Sequence, residues 1–438
     1  AKVAGAAPWR VRLLSVLLGV AALPLLYALG RRLLGRNAAL LGCLFYALSP
    51  ALVFHHQALR PYALAVLLAL AALYGLVRAV RGRGPGWWAL NAAAHAALVG
   101  THPFGVFLLL PEAVYLLLAL GGRRFALWAG VQALVVAPWA AWVLAMPDMP
   151  FDAYRLYRPP GVTGLLSGLF GGDSVRANVE LRPAPGTWRF LASQDDLVLG
   201  VQPLFDGLLF FASIVAVLWG FAWSFRDGTA EHRPKPVLLL ALTASLPVLA
   251  LALLSQVWRP CMFPRYTLYA LPALHLLMGG VLWRIRWRAV RAGFTWLVAA
   301  AFVYQVSLVA PVDARTSWRA AAAHLRDCAG KGDVALVCKT PGLAFPDQGI
   351  LRWHLGGTGP EVYPAHTVRA VFEKAFCYLE TRPGAVVWAV VQRSYQPLRV
   401  PSLEAAFSDA GVACRRYAHP GGEGLALYRL TRDAAFPP

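Results

Sequence analysis

Residues 55–64 read His-His-Gln-Ala-Leu-Arg-Pro-Tyr-Ala-Leu and separate two long apolar runs, 38–54 and 62–80. Each run is about long enough to cross a bilayer as a helix, at roughly 1.5 Å per residue. The polar stretch between them is therefore predicted to be a turn at the membrane edge. Pro61 suits the first turn of a helix, where its missing N–H costs nothing, so the next helix is expected to begin there.

This turn carries more polar chemistry than a connection needs. Its histidines, amide, arginine and tyrosine are candidates for a substrate pocket, and they are His55, His56, Gln57, Arg60 and Tyr62. An interface anchor explains the same composition equally well, because Arg, His and Tyr all favour the headgroup level.

Composition restricts the class of protein. The chain has 438 residues, of which 58% are hydrophobic and only 14% charged, with a mean hydropathy of +0.55. These values indicate an integral membrane protein. The net charge of +20 comes from arginines that lie mostly between apolar runs, which is typical of membrane topology and argues against nucleic-acid binding.

Apolar runs predict ten membrane spans, at 13–34, 38–54, 61–80, 87–101, 103–120, 125–146, 204–225, 236–258, 262–283 and 294–310. Every second connection is rich in arginine and is therefore expected to face the cytoplasm. The opposite face then holds the 55–60 turn, the 101–103 turn, the long segment 147–203, the 258–261 turn and the tail. All the unusual polar residues share this outer face.

Two domains are predicted. Residues 1–311 form a multi-span transmembrane domain with a long outer loop at 147–203, and residues 312–438 form a small extracytoplasmic α/β domain in which helices and strands alternate. No glycine-rich nucleotide loop opens its helices, so we expect a lid or recognition domain. Its four cysteines would lie in an oxidising compartment, which predicts one or two disulfides of open pairing among Cys328, Cys338, Cys377 and Cys414.

Several stretches together resemble the bacterial family-39-like glycosyltransferases, relatives of protein O-mannosyltransferase and aminoarabinose transferase in the GT-C superfamily. The 55–64 stretch resembles the family's Ser-Gln-Glu-Ala-Arg-Pro-Tyr-Ala-Leu motif. Similar likenesses occur at Arg12–Val16, Tyr27–Leu33, Thr101–Phe104, Pro264–Tyr266, Leu271–Ala273, Trp318–Ala321 and Gly332–Val334. They follow the family's order from about residue 9 to about residue 430. The resemblance implies a polytopic α-helical membrane protein of GT-C type.

The resemblance implies transfer of a monosaccharide from a polyprenyl-phosphate carrier to a protein, lipid or glycan acceptor. The reaction would take place at the outer face of the bacterial inner (plasma) membrane, with inversion at the sugar. Such a donor needs a cationic phosphate site, for which Arg265 and Arg60 are the first candidates and Arg259 a third. Snorkelling to the interface would explain these arginines without a ligand.

The remaining site candidates also rest on this resemblance. His102 and Tyr266 are expected in the substrate pocket, although a structural histidine at a helix start is an equal alternative. No cofactor is certain. A divalent cation is compatible with the family, with His56 and His102 as candidate ligands.

The chain departs from the family pattern at two points. The family's catalytic aspartate lies in its first outer loop, so we expect that residue upstream of residue 1, and the catalytic base is unknown. Ala58 stands where the family usually has a glutamate, a role that His55 and His56 could partly take over. A non-catalytic membrane partner and a lipid or glycan transporter are the alternative functions.

Overall fold

A computed structural model divides the chain into two compact units; among the described residues, the first unit runs from Pro8 to Val309 and the second from Ala314 to Arg432. The residues it describes are 8–57, 60–82, 84–120, 122–145, 196–226, 236–257, 264–309, 314–330, 332–338, 351, 355, 360–365, 368–382, 384–392, 407–408, 411–417 and 425–432. The statements below concern these residues.

The first unit is helical. Its α-helices are α1 Pro8–Leu33, α2 Arg36–Leu48, α3 Pro50–His56, α4 Tyr62–Val80, α5 Pro85–Thr101, α6 Leu109–Leu120, α7 Gly122–Ala145, α8 Asp196–Phe225, α9 Val237–Val257, α10 Leu271–Arg284 and α11 Arg288–Val309. Two 3₁₀ segments, Pro103–Leu108 and Pro264–Ala270, precede α6 and α10.

All ten predicted spans fall on helical segments, but not all of these are long enough to cross a membrane as one helix. Within the described residues seven helices are long and apolar enough to cross a membrane, and the bent pair α2–α3 raises the number to eight. The runs at 87–101 and 103–120 form the shorter helices α5 and α6. The helix α8 begins at Asp196 rather than at residue 204, so it takes in the end of the predicted outer loop. These helices make the chain a multi-pass membrane protein.

The break between α2 and α3 positions the first part of the site. The two helices meet at an angle of 57°. Pro50 occupies the first turn of α3, and the Ser49 hydroxyl accepts a hydrogen bond from the Leu52 amide at 3.3 Å. Proline favours a helix start and serine favours the preceding cap, so the local sequence dictates a new helix here. That helix ends at His55 and His56.

The core of the first unit contains α10, which is buried along most of its length. Glycines allow it to touch α2 backbone to backbone. A Cβ at Gly279 would lie 2.4 Å from the Ala38 carbonyl oxygen and 2.7 Å from the Gly42 nitrogen. Small residues at such crossings are the usual basis of close helix packing in membranes.

The second unit is an α/β fold. Its elements are α12 Ala314–Cys328, β1 Val334–Cys338, β2 Glu361–Ala365, α13 Val368–Thr381, β3 Val387–Gln392, β4 Ala413–Tyr417 and β5 Leu425–Thr431. The strand order is β2-β1-β3-β5-β4, with β2, β1 and β3 parallel and the other pairings antiparallel. Residues of α13 share one core with one face of the sheet, and residues of α12 share a second core with the other face.

The structure corrects the prediction of disulfides. Cys328, Cys377 and Cys414 form no disulfide, so no such bond joins any two of the four cysteines named above. The reason is their placement. Cys328 ends α12 on one side of the sheet, whereas Cys377 is exposed on α13, which covers the other side. A disulfide needs Cα atoms within about 7 Å.

Candidate functional site

Three segments that are distant in sequence meet in one cluster of rings. The ring of His55 contacts that of Tyr62 at 4.9 Å between centroids, and Tyr62 contacts His102 at 5.7 Å. His102 in turn contacts Tyr266 at 5.5 Å, and Phe104 stacks on Tyr266 at 4.7 Å. We call these five residues the His–Tyr cluster. Four of the five were predicted to line a substrate pocket, and all four are buried: His55, Tyr62, His102 and Tyr266.

Local sequence explains how each segment reaches the cluster. His102 follows the last residue of α5 in an extended conformation, and Pro103 then starts a 3₁₀ turn. Pro264 begins the second 3₁₀ segment, which presents Tyr266. The hydroxyl of Tyr269 donates a hydrogen bond of 2.7 Å to the Phe104 carbonyl. This bond ties the two 3₁₀ segments together.

Arg265 supplies the positive charge at the cluster. Its Cζ atom lies 5.2 Å from the centroid of the Tyr266 ring, and its side chain is half-buried. Burial, together with the charge of Arg265, lowers the pKa of His102 to about 4. His102 is therefore neutral at pH 7. Its Nδ1 is buried and has no hydrogen-bond partner among the described residues.

Two further arginines were predicted to bind the phosphate, Arg60 and Arg259. Arg60 is exposed in the turn before α4. Arg259 lies outside the described residues. Of the two described candidates, Arg265 is half-buried and lies against Tyr266 of the cluster.

His56 and Gln57 do not join the His–Tyr cluster. The ring of His56 instead contacts Tyr46 at 5.9 Å and lies against Gly19 of α1. Gln57 is exposed. Adjacent residues of a helix point about 100° apart, and here His55 contacts Tyr62 whereas His56 contacts Tyr46.

A metal role for His56 and His102 also lacks support within the described residues. No group of three or more His, Cys, Asp or Glu side chains there could hold a metal ion.

The only acidic residue before Asp148 lies in a different network. Glu112 is fully buried, and its Oε2 accepts a hydrogen bond of 2.9 Å from Asn91 and lies 3.0 Å from Nε2 of His95. The side-chain oxygen Oδ1 of Asn91 accepts hydrogen bonds from Trp128 and Gln132. This polar network joins α5, α6 and α7, and it contributes no carboxylate to the His–Tyr cluster.

Sequence reasoning did not select Phe104, Tyr269 or Tyr46 as site residues. Phe104 was within a quoted motif, so its position beside His102 was a usable signal. Tyr46 donates a hydrogen bond to the Gly19 carbonyl at 3.2 Å and supports His56. A tyrosine in an apolar run carries no signal of such a role without the fold.

Comparison with known proteins agrees with this architecture. Residues 1–142 match the model of a family described as dolichyl-phosphate-mannose-protein mannosyltransferase. That region supplies His55, Tyr62 and His102. No curated protein matches the chain.

Solved structures cover nearly the whole chain. Two structures of ArnT from Cupriavidus metallidurans, one bound to undecaprenyl phosphate and one in the apo state, are each 14% identical with a TM-score of 0.57. Each alignment covers 98% of this chain and 85% of ArnT. The oligosaccharyltransferase of Archaeoglobus fulgidus has a TM-score of 0.45, at 14% identity, over 87% of this chain and 56% of its own. The likeness to ArnT shows a shared fold.

Proposed function

We propose that this chain transfers a monosaccharide from a polyprenyl-phosphate carrier, because it shares the fold of ArnT and its first 142 residues match the model of a mannosyltransferase family. The acceptor would be a protein, lipid or glycan hydroxyl at the outer face of the membrane. The observation that carries the proposal is the meeting of three separate motifs around His102, with Arg265 beside them.

The chemistry of the cluster suits a lipid-linked phosphate. A guanidinium group binds phosphate oxygens through paired hydrogen bonds, and Arg265 is positioned at the rim of the buried rings. Neutral His102 can donate or accept one hydrogen bond without adding a second charge. The rings of Tyr62 and Tyr266 offer flat apolar surface with polar tips, as sugar- and lipid-contacting sites require.

The roles follow from these positions. Arg265 would hold the phosphate of the carrier and stabilise the negative charge that develops on it as the sugar leaves. His102 would orient the same group by hydrogen bonding. Inversion requires a carboxylate that takes the acceptor proton, and Glu112 is engaged elsewhere, so that base lies outside the His–Tyr cluster. Arg60 would meet the carrier at the exposed edge.

A binding experiment tests the phosphate site. The purified protein in detergent is titrated with undecaprenyl phosphate, and bound lipid is counted by native mass spectrometry. Arg265→Gln is expected to weaken binding at least tenfold, and Arg265→Lys by less, since lysine keeps the charge but loses the paired geometry. Arg291→Gln is the matched control, because Arg291 stacks on Trp283 at the other end of α10.

A transfer experiment separates the enzyme from its rivals. Radiolabelled polyprenyl-phosphate sugars are supplied with native membranes, and labelled acceptor is measured with wild-type and Arg265→Gln protein. Transfer that is lost in the variant supports the transferase. Tight carrier binding without transfer of any sugar would instead indicate a non-catalytic partner or transporter, and unchanged binding in Arg265→Gln would refute the phosphate site itself.

A further inference from the structure

A second basic site lies at the other end of α10. A cavity of about 600 Å³ opens there between the last turns of α8 and α10. It is lined by Trp219, Ala222, Trp223, Arg226, Arg284 and Arg286. We call it the Arg–Trp cavity. None of its residues belongs to the His–Tyr cluster.

Two tryptophans form a fixed aromatic wall of this cavity. Trp219 and Trp223 stack with centroids 5.9 Å apart and an interplanar angle of 16°. Trp219 lies so close to Gly280 that a Cβ there would be 2.9 Å from its ring. The Arg284 guanidinium lies 3.7 Å from the centroid of the Trp223 ring. An arginine held on an aromatic face keeps its N–H groups free to donate sideways.

The cavity carries positive charge that the neighbouring described residues do not balance. From Pro264 to Val309 the sequence contains five arginines and no aspartate or glutamate. Among the described residues, no carboxylate forms an ion pair with Arg226, Arg284 or Arg286. Three guanidinium groups at one opening favour an anionic ligand.

An exposed apolar stripe leads to this opening. Large hydrophobic side chains recur every seven residues along α8 and end directly before Arg226. They are Leu204, Phe211, Leu218 and Phe225, exposed by 71%, 65%, 60% and 63%. Residues seven apart lie on one helix face, and in a membrane protein such a face is turned toward acyl chains. Trp287, 74% exposed next to Arg286, marks the level of the membrane interface.

We infer that the Arg–Trp cavity binds the phosphate group of an anionic glycerophospholipid, with an acyl chain lying along the α8 stripe. The arginines would hold the phosphate oxygens, and the tryptophan wall would face the glycerol backbone. Basic pockets between membrane helices are known to recognise anionic headgroups in this way. The arginine-rich connections place this site on the face opposite the His–Tyr cluster, toward the cytoplasm by the positive-inside rule.

The test compares two double variants that lose the same charge. The protein is loaded with phosphatidylglycerol or phosphatidylcholine in detergent, and bound lipid is measured by native mass spectrometry. Wild type is expected to prefer phosphatidylglycerol at least tenfold. Arg284→Gln with Arg286→Gln is expected to reduce this preference by about tenfold or more, at roughly 1 kcal/mol per arginine near a membrane surface. The control variant, Arg123→Gln with Arg124→Gln, removes two arginines from another basic segment. It is expected to change the preference for phosphatidylglycerol less than twofold.

Three outcomes would overturn the inference. The first is an equal loss in both double variants, which would mean general electrostatic attraction. The second is equal binding of the two lipids by wild type. The third is binding of soluble glycerol phosphate as tight as that of phosphatidylglycerol, which would assign the cavity to a soluble phosphate compound. If the double variant fails to fold, Arg286→Gln alone replaces it. This single variant is expected to reduce the preference for phosphatidylglycerol several-fold.

Discussion

Two side chains, Asn91 and His95, contact the buried carboxylate of Glu112 inside the helix bundle. The stability of the fold is therefore expected to depend on these contacts. Asn91 and His95 contact the same carboxylate oxygen at 2.9 and 3.0 Å, and all three residues are fully buried. Removing one member of a buried polar pair leaves the others without partners, which costs about 3–5 kcal/mol. A single carboxylate thus links α5 to α6.

We expect Glu112→Ala to lower the unfolding temperature of the detergent-solubilised protein far more than Leu117→Ala does. Leu117 lies on the same helix but is 52% exposed, so its truncation removes little buried contact. Intrinsic fluorescence recorded during heating gives the unfolding temperature of each variant. Similar transitions for the two variants would show that the network contributes nothing to stability.

His102 makes stability depend on pH in a defined direction. Its pKa of about 4 in the fold lies below the ordinary value of 6.5, because burial and then the Arg265 charge disfavour the imidazolium. The unfolded chain therefore binds the proton more readily, and the contribution is full above pH 6.5 and lost as pH falls toward 4. Between pH 7 and pH 5 this amounts to at most about 2 kcal/mol.

We expect the unfolding temperature of wild type to fall more steeply from pH 7 to pH 5 than that of His102→Gln, which has no group to titrate at this position. Thermal unfolding at several pH values, in one buffer of constant ionic strength, gives the two slopes. Parallel slopes would mean that His102 titrates normally.

The site residues were predictable only where chemistry and motif coincided. The sequence pointed to His55, Tyr62, His102, Arg265 and Tyr266 because polar residues at helix ends stand out against apolar runs. It also pointed to His56, which contacts Tyr46 instead of the His–Tyr cluster. The difference depends on which side of a seven-residue helix meets which neighbour, and that is decided by tertiary packing rather than by composition.

At the scale of elements, the contact between α2 and α10 depends on the absence of side chains. A Cβ at Gly279 would meet backbone atoms at 2.4 and 2.7 Å, and backbone cannot rotate away as a side chain can. By contrast, a Cβ at Gly293 of α11 would meet nothing within 4 Å. Both glycines lie within helices, so Gly293 serves as the control for a substitution at Gly279.

Gly279→Ala is expected to reduce the yield of folded protein and its unfolding temperature, since α2 and α10 must separate to admit the methyl group. Gly293→Ala is expected to be neutral or to stabilise by about 0.5–1 kcal/mol through helix propensity. Fluorescence-detected gel filtration after heating measures how much folded protein each variant retains. Equal behaviour would contradict a backbone contact between α2 and α10.

Element prediction succeeded for long periodic segments and failed where tertiary contacts decide. The runs at 125–146 and 236–258 became α7 and α9 within a few residues. The strand Glu361–Ala365 carries little sequence signal of its own, because it contains Pro364, which argues against a strand. It is an edge strand, the position where a sheet tolerates proline.

For the whole molecule, the orientation in the membrane remains a prediction from the distribution of arginine. It places the second unit outside the cytoplasm. Cys377 is exposed on that unit, and Arg123 is exposed in a basic connection of the first unit. These two positions should therefore be accessible from opposite sides.

A single-cysteine protein that keeps only Cys377 is expected to react with a membrane-impermeant maleimide in intact cells whose outer barrier has been opened. A matched protein whose only cysteine is introduced by Arg123→Cys should react only after lysis of the plasma membrane. The reverse pattern would invert the topology and would place the His–Tyr cluster toward the cytoplasm.

The hydrogen bond from Tyr269 to the Phe104 carbonyl joins residues 165 positions apart in the chain. During synthesis, His55 and His102 leave the ribosome close together in time, whereas Tyr266 and Arg265 follow much later. At about 5–20 residues per second, the interval is on the order of ten seconds. A nascent chain therefore inserts its first helices with only part of the cluster present. The site is completed late in biogenesis, after α10 has entered the bundle.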